Sequence, residues 1–255
     1  MSMLRRFGYR YASFLVFILM VIVWEGACDL LKVPPYILPA PSAIAKAFTT
    51  LPLQRWLQHS WATIEVALLG FIMATIIAVP LAIAITRSKL ASRIIMPWLI
   101  VIQSTPIVAI APIIVVTLGA GTFPRVVITT LISFFPIVVS TATGLASVPE
   151  EYTELSRSLR APQSREYWQI RMPYTLPYIF SALRVAITLS IVGAVVAEFV
   201  AAEHGLGYLI LFSTSSFKIA TAFAALMLLI MSSLLLYGAL TVLQRRLFPW
   251  SEQRN

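Results

Sequence analysis

Charge is the scarcest property of this sequence. Aspartate, glutamate, lysine and arginine make up only 11% of its 255 residues, while 59% are hydrophobic and the mean hydropathy is +0.89. Soluble domains carry about a quarter charged residues, so a chain this poor in charge cannot face water all round and reads as an integral membrane protein. Cysteine is nearly missing as well: Cys28 stands alone, which excludes an internal disulfide framework and any cysteine-cluster metal site. The two histidines, His59 and His204, read as surface loop residues near the outer face. There is no GxxxxGK[ST] stretch to cradle phosphates, no GxSxG, no HExxH, and no nucleophile with a base beside it. Nucleotide hydrolysis and membrane enzymology on this chain are therefore set aside. A formal charge of +9 does not point to nucleic acid, because the cations flank apolar runs, as the positive-inside bias of membranes requires.

Long apolar runs are what the chain has instead. Arg5, Arg6 and Arg10 precede the first, and Gly26, Ala27 and Cys28 imitate a lipoprotein cleavage site. Glu25, however, stands where that signal needs an aliphatic residue, and residues 12–31 are long enough for about 30 Å of hydrocarbon, so the run is read as a retained span. Residues 33–41 are proline-rich and 42–51 have helical spacing, with Trp56 and Trp61 as expected interface anchors. A second span is expected over 61–85, followed by a basic loop with Arg87, Lys89 and Arg93. The third run, 94–118, contains Gln103, Ser104, Thr105, Pro106 and Pro112, which predict a bent or interrupted helix. Gly119–Gly121 turn the chain into a fourth span over 125–148; a fifth is expected over 174–202 and a sixth over 219–243. Six spans place both termini on one side, and that side would hold fourteen of the nineteen lysines and arginines, so the termini and the 150–177 loop are expected in the cytoplasm.

That loop is the longest polar stretch, with Glu150, Glu151, Glu154 and Glu166 beside Arg157, Arg160, Arg165 and Arg171. Ser147 and Glu150 have capping-box spacing, predicting a helix from near Val148 on which Tyr152, Leu155 and Leu159 form one apolar stripe until Pro162 stops it. A second short helix is expected from Pro162 to about Arg171, ending before Pro173. Two such helices make a compact knob with an unburied apolar side.

The loop resembles the cytoplasmic EAA loop of permease subunits of bacterial ABC importers, of the form E-A-A-x3-G-x9-I-x-L-P. Glu154, Ile170 and Pro173 match; Leu155 and Ser156 replace the alanines, Met172 the leucine, and Arg160 the glycine, which puts the turn there in question because arginine takes φ > 0 less cheaply than glycine. Elsewhere Trp24–Glu25, ILPAPSAI at 37–44, the turn at 118–121, Ala197–Glu198–Phe199 and Gly205–Tyr208 resemble segments of the permeases for nitrate, sulfonates, taurine and related heterocycles. The QSTPI stretch at 103–107 is more similar to the importers of thiamine-precursor pyrimidines and riboflavin-like compounds.

The resemblance implies an all-α integral membrane protein of six transmembrane helices in the type I ABC importer permease fold, with cytoplasmic coupling helices between spans four and five. It divides the chain into an N-terminal span and outer segment (1–58), a type 1 permease domain (59–243) and a cytoplasmic tail (244–255). It also implies a second permease copy, two ABC ATPase subunits that hold ATP and magnesium, and an external solute-binding protein, with no cofactor on this chain. Glu154, Leu155, Ser156, Leu159, Arg160, Ala161, Ile170 and Pro173 are the expected ATPase-coupling residues. Gln103, Ser104, Thr105, Ser133, Ser140 and Glu198 are candidates for the translocation path, although the hydroxyls would serve equally for bonds between helices. Arg184 and Glu198 are charges within a span, each able to act in transport or to reach the interface by snorkelling. The rival reading from another class, an ion-coupled secondary transporter, would want mid-membrane acids and an inverted repeat, and neither is seen.

Overall fold

A computed structural model describes the backbone of residues 3–251 and the side chains of residues 14–251. Its elements are α1 (Met3–Leu30), α2 (Pro41–Ala47), α3 (Leu53–Arg87), α4 (Lys89–Ser104), α5 (Ile107–Leu118), α6 (Thr122–Ala146), α7 (Glu150–Ser158), α8 (Gln163–Glu166), a π turn (Tyr167–Arg171), α9 (Met172–Ala201), α10 (Leu206–Ser215), α11 (Ile219–Leu247) and a closing 3-10 turn (Pro249–Ser251). No strand occurs among the described residues.

Among the described residues α3, α6, α9 and α11 are each long and apolar enough to cross a bilayer. The third run is broken as its prolines predict: α4 and α5 meet at 96°, with Thr105 and Pro106 between them, and count as a fifth span if taken together. The expected first span falls in α1, and its residues 12 and 13 lie outside those with described side chains.

The centre of the bundle is α3, α6 and α9, and small residues decide how closely they approach. On α3 Ala67, Ala74, Ala78 and Ala82 are fully buried at nearly four-residue spacing, and on α9 Ala186, Ala194 and Ala197 are as well. Thr129 of α6 is wedged between Gly70 of α3 and Gly193 of α9; a methyl group on Gly193 would lie 2.9 Å from the Thr129 backbone. Lipid tails give apolar helices little reason to associate, so contact depends on small residues that let backbones meet. Apolar side chains such as Ile76 on α3, Val185 and Val192 on α9 and Leu234 on α11 remain exposed on the bundle's exterior.

Two expectations fail near α2. Trp56 is 4% exposed rather than an interface anchor, its indole nitrogen donating to the Phe48 carbonyl at 3.1 Å and its ring 5.3 Å from that of Phe48. It lies on α3, which starts eight residues earlier than the hydropathy suggested and carries the side chain back under α2. Trp61, by contrast, is exposed.

Candidate functional site

The polar loop folds into a knob at one end of the bundle, but its helix begins and ends differently from the sequence pattern. Ser147 belongs to the closing turn of α6, its amide bonded to the Thr143 carbonyl and its hydroxyl donating to the Gly144 carbonyl, so it is not free to cap α7. Pro149 occupies the cap position, and α7 starts at Glu150. Glu150 and Glu151 in its first turn and Arg157 in its last suit the helix dipole.

The helix stops before Pro162, in a Schellman turn. The Ala161 amide bonds to the Ser156 carbonyl at 3.0 Å and the Arg160 amide to the Arg157 carbonyl at 2.9 Å, with Arg160 at φ +49°. Arginine thus adopts the left-handed conformation that the EAA pattern assigns to glycine. Tyr152, Leu155 and Leu159 point outward at 53%, 57% and 72% exposure; Glu154 is exposed beside them. In α7 only Thr153 and Ser156 are buried. Ala161, Ile170 and Pro173 are half-buried on the return path.

The second short helix does not end before Pro173. From Gln163 the chain runs through the π turn into α9 without interruption. Proline clashes with the carbonyl four residues back and has no amide to give; a turn of larger radius leaves room for it, and here the Met172 amide reaches back five residues to the Tyr167 carbonyl.

At about 1.5 Å per residue, the thirty residues of α9 carry the chain some 45 Å away. There α10 begins, a helix for which the GLGY segment gave no explicit expectation. Its leading amides are taken by side chains from other helices: Gly207 N–H donates to Glu198 Oε2 at 2.7 Å and Leu206 N–H to Thr63 Oγ1 at 2.8 Å, while His59 Nδ1 lies 3.1 Å from both the amide and the carbonyl of Gly205. Glu198 is 1% exposed, so it does not snorkel, and His59 is buried rather than a loop residue; His204 alone is exposed as expected. Gly205 stands at φ +131°, and a Cβ there would fall on the Glu198 carboxylate. A cavity of about 520 Å³ opens beside this clasp, lined by Arg125 and His204.

The other path candidates are not brought together within one chain. Gln103 and Ser104 are exposed at the α4–α5 bend, and the Ser104 and Thr105 hydroxyls close on their own helix, donating to the Ile100 and Val101 carbonyls. Ser133 is fully buried in the bundle and Ser140 half-buried on the same helix. Arg184 Nη2 donates to Gln244 Oε1 at 2.9 Å, and Gln244 Nε2 donates to Ser251 Oγ, tying α9 to the end of α11. A second cavity, about 850 Å³, lies between α2 and the α10–α11 turn and holds none of the predicted path residues. Among the described residues no group of three metal-ligating side chains occurs.

A bundle of long apolar helices held by small residues, with an exposed amphipathic knob at one end and a clasped short helix at the other, is the build of a multi-pass membrane protein. A sequence profile of the binding-protein-dependent transport system inner membrane component family matches residues 74–249, and the chain belongs to that family. It is 33% identical to the riboflavin transport system permease protein RibX of Chloroflexus aurantiacus over 91% of this chain and 87% of that one. It is 29% identical to the formylaminopyrimidine transport permease protein ThiX of Halalkalibacterium halodurans over 94% and 96%. The taurine transport system permease protein TauC of Escherichia coli matches at 26% over 89% and 85%. The fold is similar to that of a chain in inward-facing structures of the MetNI methionine ABC transporter, with a TM-score of 0.67 at 18% identity, over 76% of this chain and 96% of that one. The chain is thus a multi-pass ABC importer permease subunit of the inner membrane, and the secondary-transporter reading falls away.

Proposed function

We propose that this chain works as one of a pair of identical permeases, each with six spans and cytoplasmic termini, joined to two ATPase subunits that bind and hydrolyse ATP with magnesium. An external solute-binding protein delivers a small solute, which the pair passes across the bacterial inner membrane. The proposed cargo is a pyrimidine- or riboflavin-like heterocycle, in keeping with the formylaminopyrimidine and riboflavin relatives; taurine, a sulfonate or nitrate is the second reading, favoured by the taurine relative. Gln103, Ser104, Thr105 and Ser140 line the path between the two copies in this reading, while Ser133 stays inside the bundle and Glu198 serves the path by holding α10.

The observation that carries the reading is the exposed stripe of Tyr152, Leu155 and Leu159 beside Glu154, on a helix that buries only two of its own residues. Such a face fits a groove on a soluble partner. Leu155, Ser156, Leu159, Arg160, Ala161, Ile170 and Pro173 shape the knob, and Glu154 sets its orientation by charge. Glu154→Arg leaves the spans untouched, yet an interfacial charge facing a like or unpaired partner costs about 2 to 5 kcal/mol. The expected result is a folded permease that no longer retains its ATPase on purification; retention at wild-type stoichiometry with normal transport would refute the assignment. Orientation is tested by single cysteines in a Cys28→Ala background. Arg160→Cys should resist an impermeant thiol reagent applied from outside, and Glu203→Cys, exposed beside the α10 clasp, should react.

A further inference from the structure

Arg171 is held from three sides. Its Nε and Nη2 donate to Glu166 Oε1 at 2.8 and 2.7 Å, its Nη1 donates to the Leu145 carbonyl at 3.2 Å, and its guanidinium carbon lies 5.3 Å from the centre of the Tyr167 ring. Leu145 closes the chain that enters the knob, in the last turn of α6, whereas Glu166 and Arg171 belong to the chain that leaves it. One planar cation therefore clamps both stems, taking a carbonyl that the end of α6 leaves without a helical donor.

The π turn makes this possible. Residues five apart on a regular helix do not face each other, since neighbours there lie three and four apart. Glu166 and Arg171 are five apart and meet because the turn between them is wider. A wide turn that aligns this ion pair has a mechanical use, because the clamp joins the knob's two stems at their base, on the bundle side of the irregular segments at 147–149 and 159–162.

We propose that Arg171 and Glu166 are positioning residues for coupling: they fasten the end of α6 to the start of α9, so that a displacement of α7 is passed to both helices together instead of drawing one stem away from the other. The inference rests on α7 being the ATPase dock, and the experiment separates the two ideas. The full chain, assembled with its ATPase subunits in a Cys28→Ala background, carries spin labels on cysteines at Ala146, exposed at the end of α6, and at Val185, an exposed position on α9. Their separation is measured by pulsed electron paramagnetic resonance without nucleotide and after trapping with magnesium, ADP and vanadate.

With Arg171 and Glu166 intact the distance distribution should stay narrow and keep its mean in both states. Arg171→Gln should retain its ATPase but widen the distribution about twofold on trapping, the mark of a hinge in place of a rigid body. Arg171→Lys, whose ammonium cannot serve Glu166 and Leu145 in the same planar fork, should fall between. Glu166→Gln, which keeps size and loses charge, should widen it less than Arg171→Gln and keeps the test alive if that variant does not fold. A narrow, state-independent distribution in Arg171→Gln or Glu166→Gln would overturn the brace while leaving the dock standing. Failure of the parent chain to retain its ATPase would overturn the dock on which the brace rests.

Discussion

Each end of the bundle turns the chain through a left-handed residue beside a short helix, and the two ends satisfy their backbone groups in opposite ways. At the α10 end, three consecutive residues are held by His59, Thr63 and Glu198, which arrive from two other helices and are all buried. At the α7 end the turn around Arg160 is closed by carbonyls of α7 itself, and the side chains beside it face outward. The first arrangement depends on tertiary packing: α10 cannot lift away without leaving two amides, an imidazole and a carboxylate without these partners, a loss of about 1 to 3 kcal/mol for each. The second is local and survives displacement. A module that carries its own hydrogen bonds and shows an apolar face is suited to being pushed by a partner, while a clasped helix is suited to holding one end of the bundle still.

The contrast is broken most severely at Gly205. Alanine there would meet φ +131°, a strain of about 1 to 3 kcal/mol, and would drive its methyl onto the Glu198 carboxylate, undoing the bond to Gly207. Gly205→Ala is expected to cost about 3 kcal/mol or more, read as a large fall in the thermal midpoint of the detergent-solubilised protein, with new proteolysis between α9 and α10. A midpoint within a degree or two of wild type would mean that α10 is not clasped. Thr63→Val is the milder probe, removing the acceptor for the buried Leu206 amide together with the hydroxyl's own bond to the His59 carbonyl, without the backbone strain; about 1 to 3 kcal/mol should be lost.

How much of this was legible depends on whether the partners are near in sequence. The bend at Thr105–Pro106 could be read because proline acts on its own neighbours, and the stripe of Tyr152, Leu155 and Leu159 because helical spacing is a local property. The clasp could not: His59 and Gly205 are 146 residues apart, and nothing in either segment names the other. His59 and Thr63 do share a helix face at i and i+4, but on an apolar helix that spacing describes any packed pair. The meeting of Glu166 and Arg171 was hidden for a different reason, since a five-residue separation argues against contact until the π turn is known. The capping box failed because Ser147 was already committed to α6, so the same two residues fit a rule whose geometry was occupied.

The smallest expected effect sharpens the comparison most directly, because it acts on the local turn alone. Arg160 holds φ +49° with its amide bonded within α7, and an L-residue pays a steric cost in that region that glycine does not. Arg160→Gly should therefore stabilise the closed turn by about 1 kcal/mol after the extra freedom of glycine in the unfolded chain is allowed for. The thermal midpoint of the whole protein should not change, because α7 shares little buried surface with the bundle. The gain should appear as slower hydrogen exchange at the Arg160 and Ala161 amides, by about fivefold for that free energy. If exchange slows equally at Leu206 and Gly207, the two ends are one cooperative unit and the contrast between a free module and a clasped one is wrong. If it slows only at the α7 turn, the knob is stabilised by its own residues, as a part that must move intact requires.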